Sequence, residues 1–284
     1  MSPSTVADEP ATAASFEVYQ VLPRQSLFRR FLTTQRHLFG LVFGALSVDV
    51  EQRKGTPRGR GLGFFLLRFL NTFTRPFLDR SLRDLPFPVQ LRRRLERLGP
   101  TYIKLGQILS LREDILPKAI TQELKHLLAS LPAVPFPVLC ELITRDLGRP
   151  LDDMFLAIDE VPLGSASIGQ VHRATTRNGD PVIIKVVKPG IPAILRRDAK
   201  LLALAGWMLE LVFPQYGPRR IIREFADYTL REVDLRREAD NAETFAANFA
   251  DEPDIVFPAI YREFSGERVL TMEFFDGQRP DSKK

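Results

Sequence analysis

The sequence predicts an α+β fold: an all-helical front, then a five-stranded antiparallel sheet with helices against it. Three observations carry this. As far as Leu147 the apolar residues recur at helical spacing, as Ile103, Leu105, Ile108 and Leu109 do. After Met154 the period changes to short runs rich in β-branched residues, Phe155–Glu160, Ile168–Thr175 and Pro181–Val187. The last two are joined by a turn carrying Asn178–Gly179, a pair that accepts the left-handed backbone of a tight hairpin.

Taken in order, residues 1–22 are small and polar and predict a disordered lead. Residues 23–85 form a basic, Phe/Leu/Arg-rich region of amphipathic helices, divided by a loop at Lys54–Arg60 that holds Gly55, Pro57 and Gly59. Two apolar stretches stand out there. Leu38–Val48 falls well short of the roughly 20 residues a spanning helix needs, and Gly61–Leu78 is interrupted by Arg68, Asn71 and Arg75. Both suit helices that lie on a bilayer or pack on the protein. Residues 86–150 form a helical extension, with breaks at Gly99–Pro100 and Leu116–Pro117 and a linker opened by Pro132, Pro135 and Pro137. A helix over Val138–Leu147 then stops at Gly148, the expected C-cap. Residues 151–277 carry the sheet. Its first three strands are followed by helices over Ile191–Leu211 and Arg219–Asn248, and by strands over Ile255–Arg262 and Arg268–Phe274. Residues 278–284 are a tail.

Charge and cysteine narrow the function. The net charge is +5, but the first 100 residues hold 16 Lys/Arg against 8 Asp/Glu, while the rest holds 24 against 27. A basic front beside a near-neutral body suggests an acidic surface as partner, either anionic lipid or a phosphate-bearing molecule. Nucleic acid is not expected, because no recognised binding motif accompanies the charge. The lone Cys140 excludes an internal disulfide framework and a multi-cysteine metal site, and no metal ligand set is assigned. The first 15 residues carry Asp8 and Glu9 and no basic segment, so no secretory or transit leader is expected.

Four constellations bear chemistry. Lys185 ends the strand run Val182-Ile183-Ile184-Lys185, where a lysine can reach nucleotide phosphates if a helical carboxylate aims it; an exposed strand lysine is the plainer alternative. The small residues Gly164, Ser165, Ala166 and Ser167 lie between two strands. They either let backbone amides approach a phosphate or merely make a tight connection. His172 reads as a strand histidine rather than a base. Glu232, Asp234 and Glu238 lie in Arg231–Asn241, with Asp234, Glu238 and Asn241 on one helical face; a solvated charged face is the plainer reading. Finally, Leu98–Ser110 contains Lys104-Leu105-Gly106-Gln107, with Lys104 and Gln107 on one side of a helix and Gly106 admitting a close neighbour.

Together these residues resemble the UbiB/ADCK (ABC1-type) family of atypical kinases. The likeness rests on KxGQ at Lys104–Gln107, the loop and SIGQVH at Gly164–His172, VIIK ending at Lys185, ExD at Glu232–Asp234, RREA with Glu238, and VLTME at Val269–Glu273. It covers about Leu98 to Gly277. It implies a protein-kinase-like small lobe preceded by a KxGQ-bearing extension. Lys185 would be the phosphate lysine, Glu238 its partner, Gly164–Ser167 the phosphate loop, and Met272, Glu273 and Phe274 the adenine-side wall. Lys104 and Gln107 would belong to an extension folded over the site, and Glu232 and Asp234 would face that extension. The implied cofactor is ATP or ADP with Mg²⁺. Implied partners are this nucleotide, an isoprenoid lipid or anionic membrane surface, and a large lobe or partner protein. The implied setting is cytoplasmic, peripheral at the inner face of a membrane, in ubiquinone biosynthesis or its regulation.

Two departures qualify the likeness. The loop begins Gly164-Ser165 where the family is rich in alanine. Nothing after Phe275-Asp276-Gly277 supplies the catalytic-loop aspartate, its asparagine or a metal-binding aspartate, so the large lobe is expected to be absent and this chain catalytically inert alone.

Overall fold

The computed structural model describes residues 26, 28–37, 40, 80–83, 85–114, 116–128, 133–212, 214 and 217–277. The expected disordered lead, the Lys54–Arg60 loop, the Gly61–Leu78 helix, the tail and all but Gly40 of Leu38–Val48 lie outside the described residues. The described residues divide into two compact units. A helical unit draws on 25–129 and 197–208, and a sheet unit on 130–196 and 209–284.

In the helical unit, a helical run over 28–37 and a turn at Arg80–Arg83 precede α1 (Phe87–Leu98), α2 (Pro100–Leu109) and α3 (Lys118–Lys125). The breaks fall where the sequence places them. Gly99 takes φ 90°, which only glycine adopts cheaply, and Pro100 opens α2, where a missing N–H loses no bond. Gly106 is there for contact rather than for backbone. A Cβ on it would sit 2.4 Å from Leu127 Cδ1 and 2.9 Å from Leu95 Cδ1. At the centre of the unit is a buried ion pair. Arg30 Nε and Nη2 donate to the two oxygens of Asp198, both at 2.7 Å, and the Thr101 hydroxyl donates to the same carboxylate at 2.6 Å.

The sheet unit opens with α4 (Phe136–Leu147), two residues earlier than the sequence suggests, since Pro137 is harmless in a first turn. Gly148 ends it in the left-handed conformation, φ 66°. The strands are β1 (Phe155–Ile158), β2 (Gly164–Ser165), β3 (Gly169–Thr176), β4 (Pro181–Val187) and β5 (Val269–Glu273), all pairing antiparallel in the order β1-β3-β4-β5. β2 also pairs with β3. β4 occupies one edge of β3 from Gly169 to Thr175, so β1 and β2 share the other edge end to end. The hairpin between β3 and β4 closes by Thr176 N–H donating to Asp180 O at 3.0 Å, with Gly179 at φ 90°.

After β4 come α5 (Ile191–Val212), whose residues 197–208 belong to the helical unit, then α6 (Pro218–Arg231) and α7 (Leu235–Asn248). Two expectations are corrected here. The single helix over Arg219–Asn248 is two helices, broken at Glu232–Asp234. Asp234 is the extended N-cap of α7, its carboxylate accepting from Arg236 N–H, so it does not share a helical face with Glu238 and Asn241. Burial of both Val233 and Leu235 in one core accompanies the break, because residues two positions apart in a helix point to nearly opposite sides, about 200° around the axis. The strand expected over Ile255–Arg262 is a single bridge, Ile260 to Met272, with Arg262–Phe264 turning into a 3₁₀ helix. Pro258 has no N–H to extend that ladder. Five strands are nonetheless present, because Gly164–Ser165 supplies the fifth.

Each face of the sheet has its own core. Val182, Ile184 and Val186 of β4 pack with Leu139 and Ile143 of α4. Val187 packs on the opposite side with Ile191, Ile194 and Leu195 of α5, Val233, and Leu235 and Ala239 of α7. Strand alternation therefore puts Lys185 on the α7 face. Among the described residues no helix is long and apolar enough to cross a membrane.

Candidate functional site

The alternation that buries Val182, Ile184 and Val186 leaves Lys185 facing α7, where Glu238 lies one residue from the buried Ala239. Lys185 Nζ donates to both carboxylate oxygens of Glu238, each at 2.7 Å. The lysine and glutamate side chains are 32% and 42% exposed. A half-exposed pair contributes at most about 1 kcal/mol to stability. An ammonium has three N–H donors. Two of them are engaged by Glu238.

The small-residue loop is tighter than a loose connection. Leu163 N–H donates to Val171 O, Gly164 and Ser165 pair with Val171 and Gln170, and Ala166 N–H donates to Gly169 O at 2.8 Å. Ala166–Ile168 is thus the whole turn. A Cβ on Gly164 would meet nothing within 4 Å, so the protein leaves that flank open. Gly169 is different, with the Val186 carbonyl 3.0 Å from where its Cβ would be.

Along β5 the backbone N–H groups of Glu273 and Phe274 donate to Ala259 O and Pro181 O. Contact between these two residues and a base would therefore run through carbonyls or side chains. Arg173 lies over the Phe274 ring, 4.4 Å from its centroid. Met272 bridges Ile260.

His172 is buried and satisfied. Its Nδ1 lies 2.7 Å from Asp159 O and its Nε2 2.9 Å from Gln170 Nε2. Gln170 Oε1 accepts from Val134 N–H, so the amide nitrogen must face the ring as donor. The ring is then neutral, with its proton on Nδ1. It anchors the strand, as its place in the sequence suggests.

Asp234 is engaged within its own unit by Arg236, at 2.8 and 2.9 Å, and more loosely by Arg237. The hydrogen bond from Arg236 holds its carboxyl below the ordinary range. The Glu232 carboxylate neighbours the Tyr228 hydroxyl and pushes that phenol up. Gln107 Nε2 donates to Leu127 O at 2.8 Å, tying the end of α2 to the turn after α3.

One participant is absent from the sequence reading. Lys188, in the turn after β4, is 1% exposed. Its Nζ donates to the Ala166 carbonyl at 2.7 Å. The only hint in the sequence is a lysine placed between an apolar strand and Pro189-Gly190, a pattern that reads as an ordinary turn.

Residues 126–284 match the ABC1 atypical kinase-like domain, more than half of the chain. The chain belongs to the ABC1 atypical kinase-like family. Its KxGQ block lies ahead of the matched span. Among curated ABC1-family relatives, a probable protein kinase UbiB of Marinobacter nauticus is 38% identical over 217 residues, covering 75% of this chain and 38% of that protein. Protein ACTIVITY OF BC1 COMPLEX KINASE 1, chloroplastic, of Arabidopsis thaliana is 38% identical over 228 residues, covering 78% and 33%. A probable protein kinase UbiB of Azotobacter vinelandii is 38% identical over 200 residues, covering 69% and 37%. The chain thus spans between a third and two fifths of these relatives' length. Among solved structures, the Rv3197–erythromycin complex from Mycobacterium tuberculosis is 30% identical with a TM-score of 0.42, covering 64% of this chain and 46% of that one.

Proposed function

We propose that this chain supplies the nucleotide-binding part of a UbiB-type atypical kinase or ATPase that serves isoprenoid-quinone (ubiquinone) biosynthesis or its regulation. The single observation that carries the reading is the double hydrogen bond from Lys185 to Glu238, which holds an ammonium beside the Gly164–Ser167 loop's strand partner β3. Lys185 binds the phosphates and Glu238 aims it. Gly164, Ser165, Ala166 and Ser167 wrap the phosphate end, and Met272, Glu273 and Phe274 wall the base. ATP or ADP with Mg²⁺ is the ligand; bound ATP would bring the transferable phosphoryl group. Lys104 and Gln107 of the extension, and Glu232 and Asp234, are the family-specific residues of this reading. The catalytic-loop and metal-binding residues belong to a large lobe or a partner.

Calorimetric titration of the chain with ADP and ATP, with and without Mg²⁺, tests the reading. Lys185→Met is expected to weaken binding about tenfold or more, the loss of one charge-assisted phosphate contact, and Glu238→Gln to weaken it less. Equal affinity in wild type and Lys185→Met rejects the assignment.

A second reading has its own observation. Leu204, Trp207 and Met208 of α5 are 43%, 51% and 45% exposed and fall on one helical side. Such a stripe suits a catalytically inert module that binds lipid or protein, in the cytoplasm and peripheral at the inner face of a membrane. Pelleting with anionic vesicles, unaffected by Lys185→Met but lost in Trp207→Glu, supports that reading.

A further inference from the structure

Lys188 invites the question of why an ammonium is buried here. It follows the last residue of β4 and makes two bonds to the loop. Its backbone N–H donates to Ile168 O at 2.9 Å, and its Nζ donates to Ala166 O at 2.7 Å. The ends of the turn are thus tied to one residue, and Ala166 N–H closes the turn on Gly169 O. As a stability device this is a poor bargain. Burial disfavours the charged form and lowers the Lys188 pKa to about 8, so an ammonium is kept here at a cost in stability. A water or a serine hydroxyl would satisfy the same carbonyl more cheaply.

The geometry does something a water would not. The peptide bonds are trans, so the Ala166 carbonyl and the Ser167 N–H of one peptide plane point in opposite directions. A cation fixed under the carbonyl therefore fixes which way that N–H faces. We propose that Lys188 is a positioning residue for nucleotide: by holding the Ala166 carbonyl it sets the peptide planes of Gly164–Ser167 in the orientation that receives a phosphate. Lys185 touches the ligand from the strand, and Lys188 acts on it through the loop. The inference rests on the nucleotide reading of that loop.

The test uses the whole chain and the variants Lys188→Met and Lys188→Arg. Methionine keeps the length and packing without the donor; arginine keeps the charge and donors. In the ligand-free protein, amide hydrogen exchange over 164–169 is expected to quicken about tenfold in Lys188→Met, as local opening energies allow, with β1 and α7 unchanged. Lys188→Arg should restore most of the protection. ADP affinity should fall in Lys188→Met by a comparable factor without a drop in melting temperature, and recover in Lys188→Arg. Unchanged loop exchange overturns the inference, as does quickening spread evenly through the sheet, which marks a purely structural lysine. Faster loop exchange with unaltered ADP affinity also overturns it. A wild-type chain that binds no ADP overturns the nucleotide reading itself, and loop exchange alone then decides whether Lys188 sets the loop.

Discussion

At the scale of single residues, two lysines three positions apart on β4 and its following turn live under opposite rules. Lys185 is partly open and neutralised by Glu238. Lys188 is enclosed, and burial lowers its pKa from 10.5 to about 8. The direction fixes a pH dependence. Between about pH 8 and 10.5 the unfolded chain holds a proton at this site that the folded chain has released, so folding stability rises with pH across that window. Below about 8 the full penalty is present, roughly 3 kcal/mol as an upper estimate from the size of the shift. Urea denaturation at pH 7.5 and 9.5 checks this. Wild type should gain stability relative to Lys188→Met at the higher pH, and a parallel response of the two proteins rejects it. The sequence showed Lys185 because a motif surrounds it, and hid Lys188 because nothing local distinguishes a buried turn lysine from a solvated one.

At the scale of elements, legibility followed periodicity. β4 was readable to the residue, since it opens on Pro181 and runs as β-branched residues interrupted by Lys185 alone up to Lys188. The Gly99–Pro100 break was equally plain, and α4 and α5 were placed to within two residues at each end. What failed was set by tertiary contacts. The residues from Arg219 to Asn248 include no glycine or proline to mark a break, and the burial of Val233 with Leu235 accompanies the restart. The cue was present in Asp234, a preferred N-cap residue, but it was masked by its reading as one member of a charged face. Two-residue β2 was below any pattern, being defined by its partners on β3. Since α7 carries Glu238, its cap also bears on the site. Asp234→Ala should destabilise the chain by about 1 kcal/mol, while Asp234→Asn, which still accepts from the N2 amide, should lose much less. Equilibrium urea denaturation of the two variants measures this; equal losses would assign the effect to the Arg236 ion pair instead.

At the scale of the molecule, the helical unit is organised around a charge rather than around apolar residues alone. Asp198 is fully buried and Arg30 nearly so, and the pair joins the 28–37 helix to α5. Thr101 of α2 adds its hydroxyl, and Arg30 Nη2 also donates to Leu98 O at the end of α1. Burial, with the Asp198 charge behind it, pushes the nearby Tyr102 phenol up to about 12. None of this was visible in the sequence, because the partners stand 168 positions apart. An enclosed pair of this kind is costly to break and cheap to replace: removing one member leaves the other charged and unsolvated, while removing both does not. Asp198→Ala is therefore expected to destabilise the chain by about 3–5 kcal/mol, and Arg30→Met combined with Asp198→Leu to recover most of the loss. Denaturation of the two singles and the double gives the coupling directly. Additive losses would mean that the two side chains act separately, and that the helical unit is held by its apolar contacts.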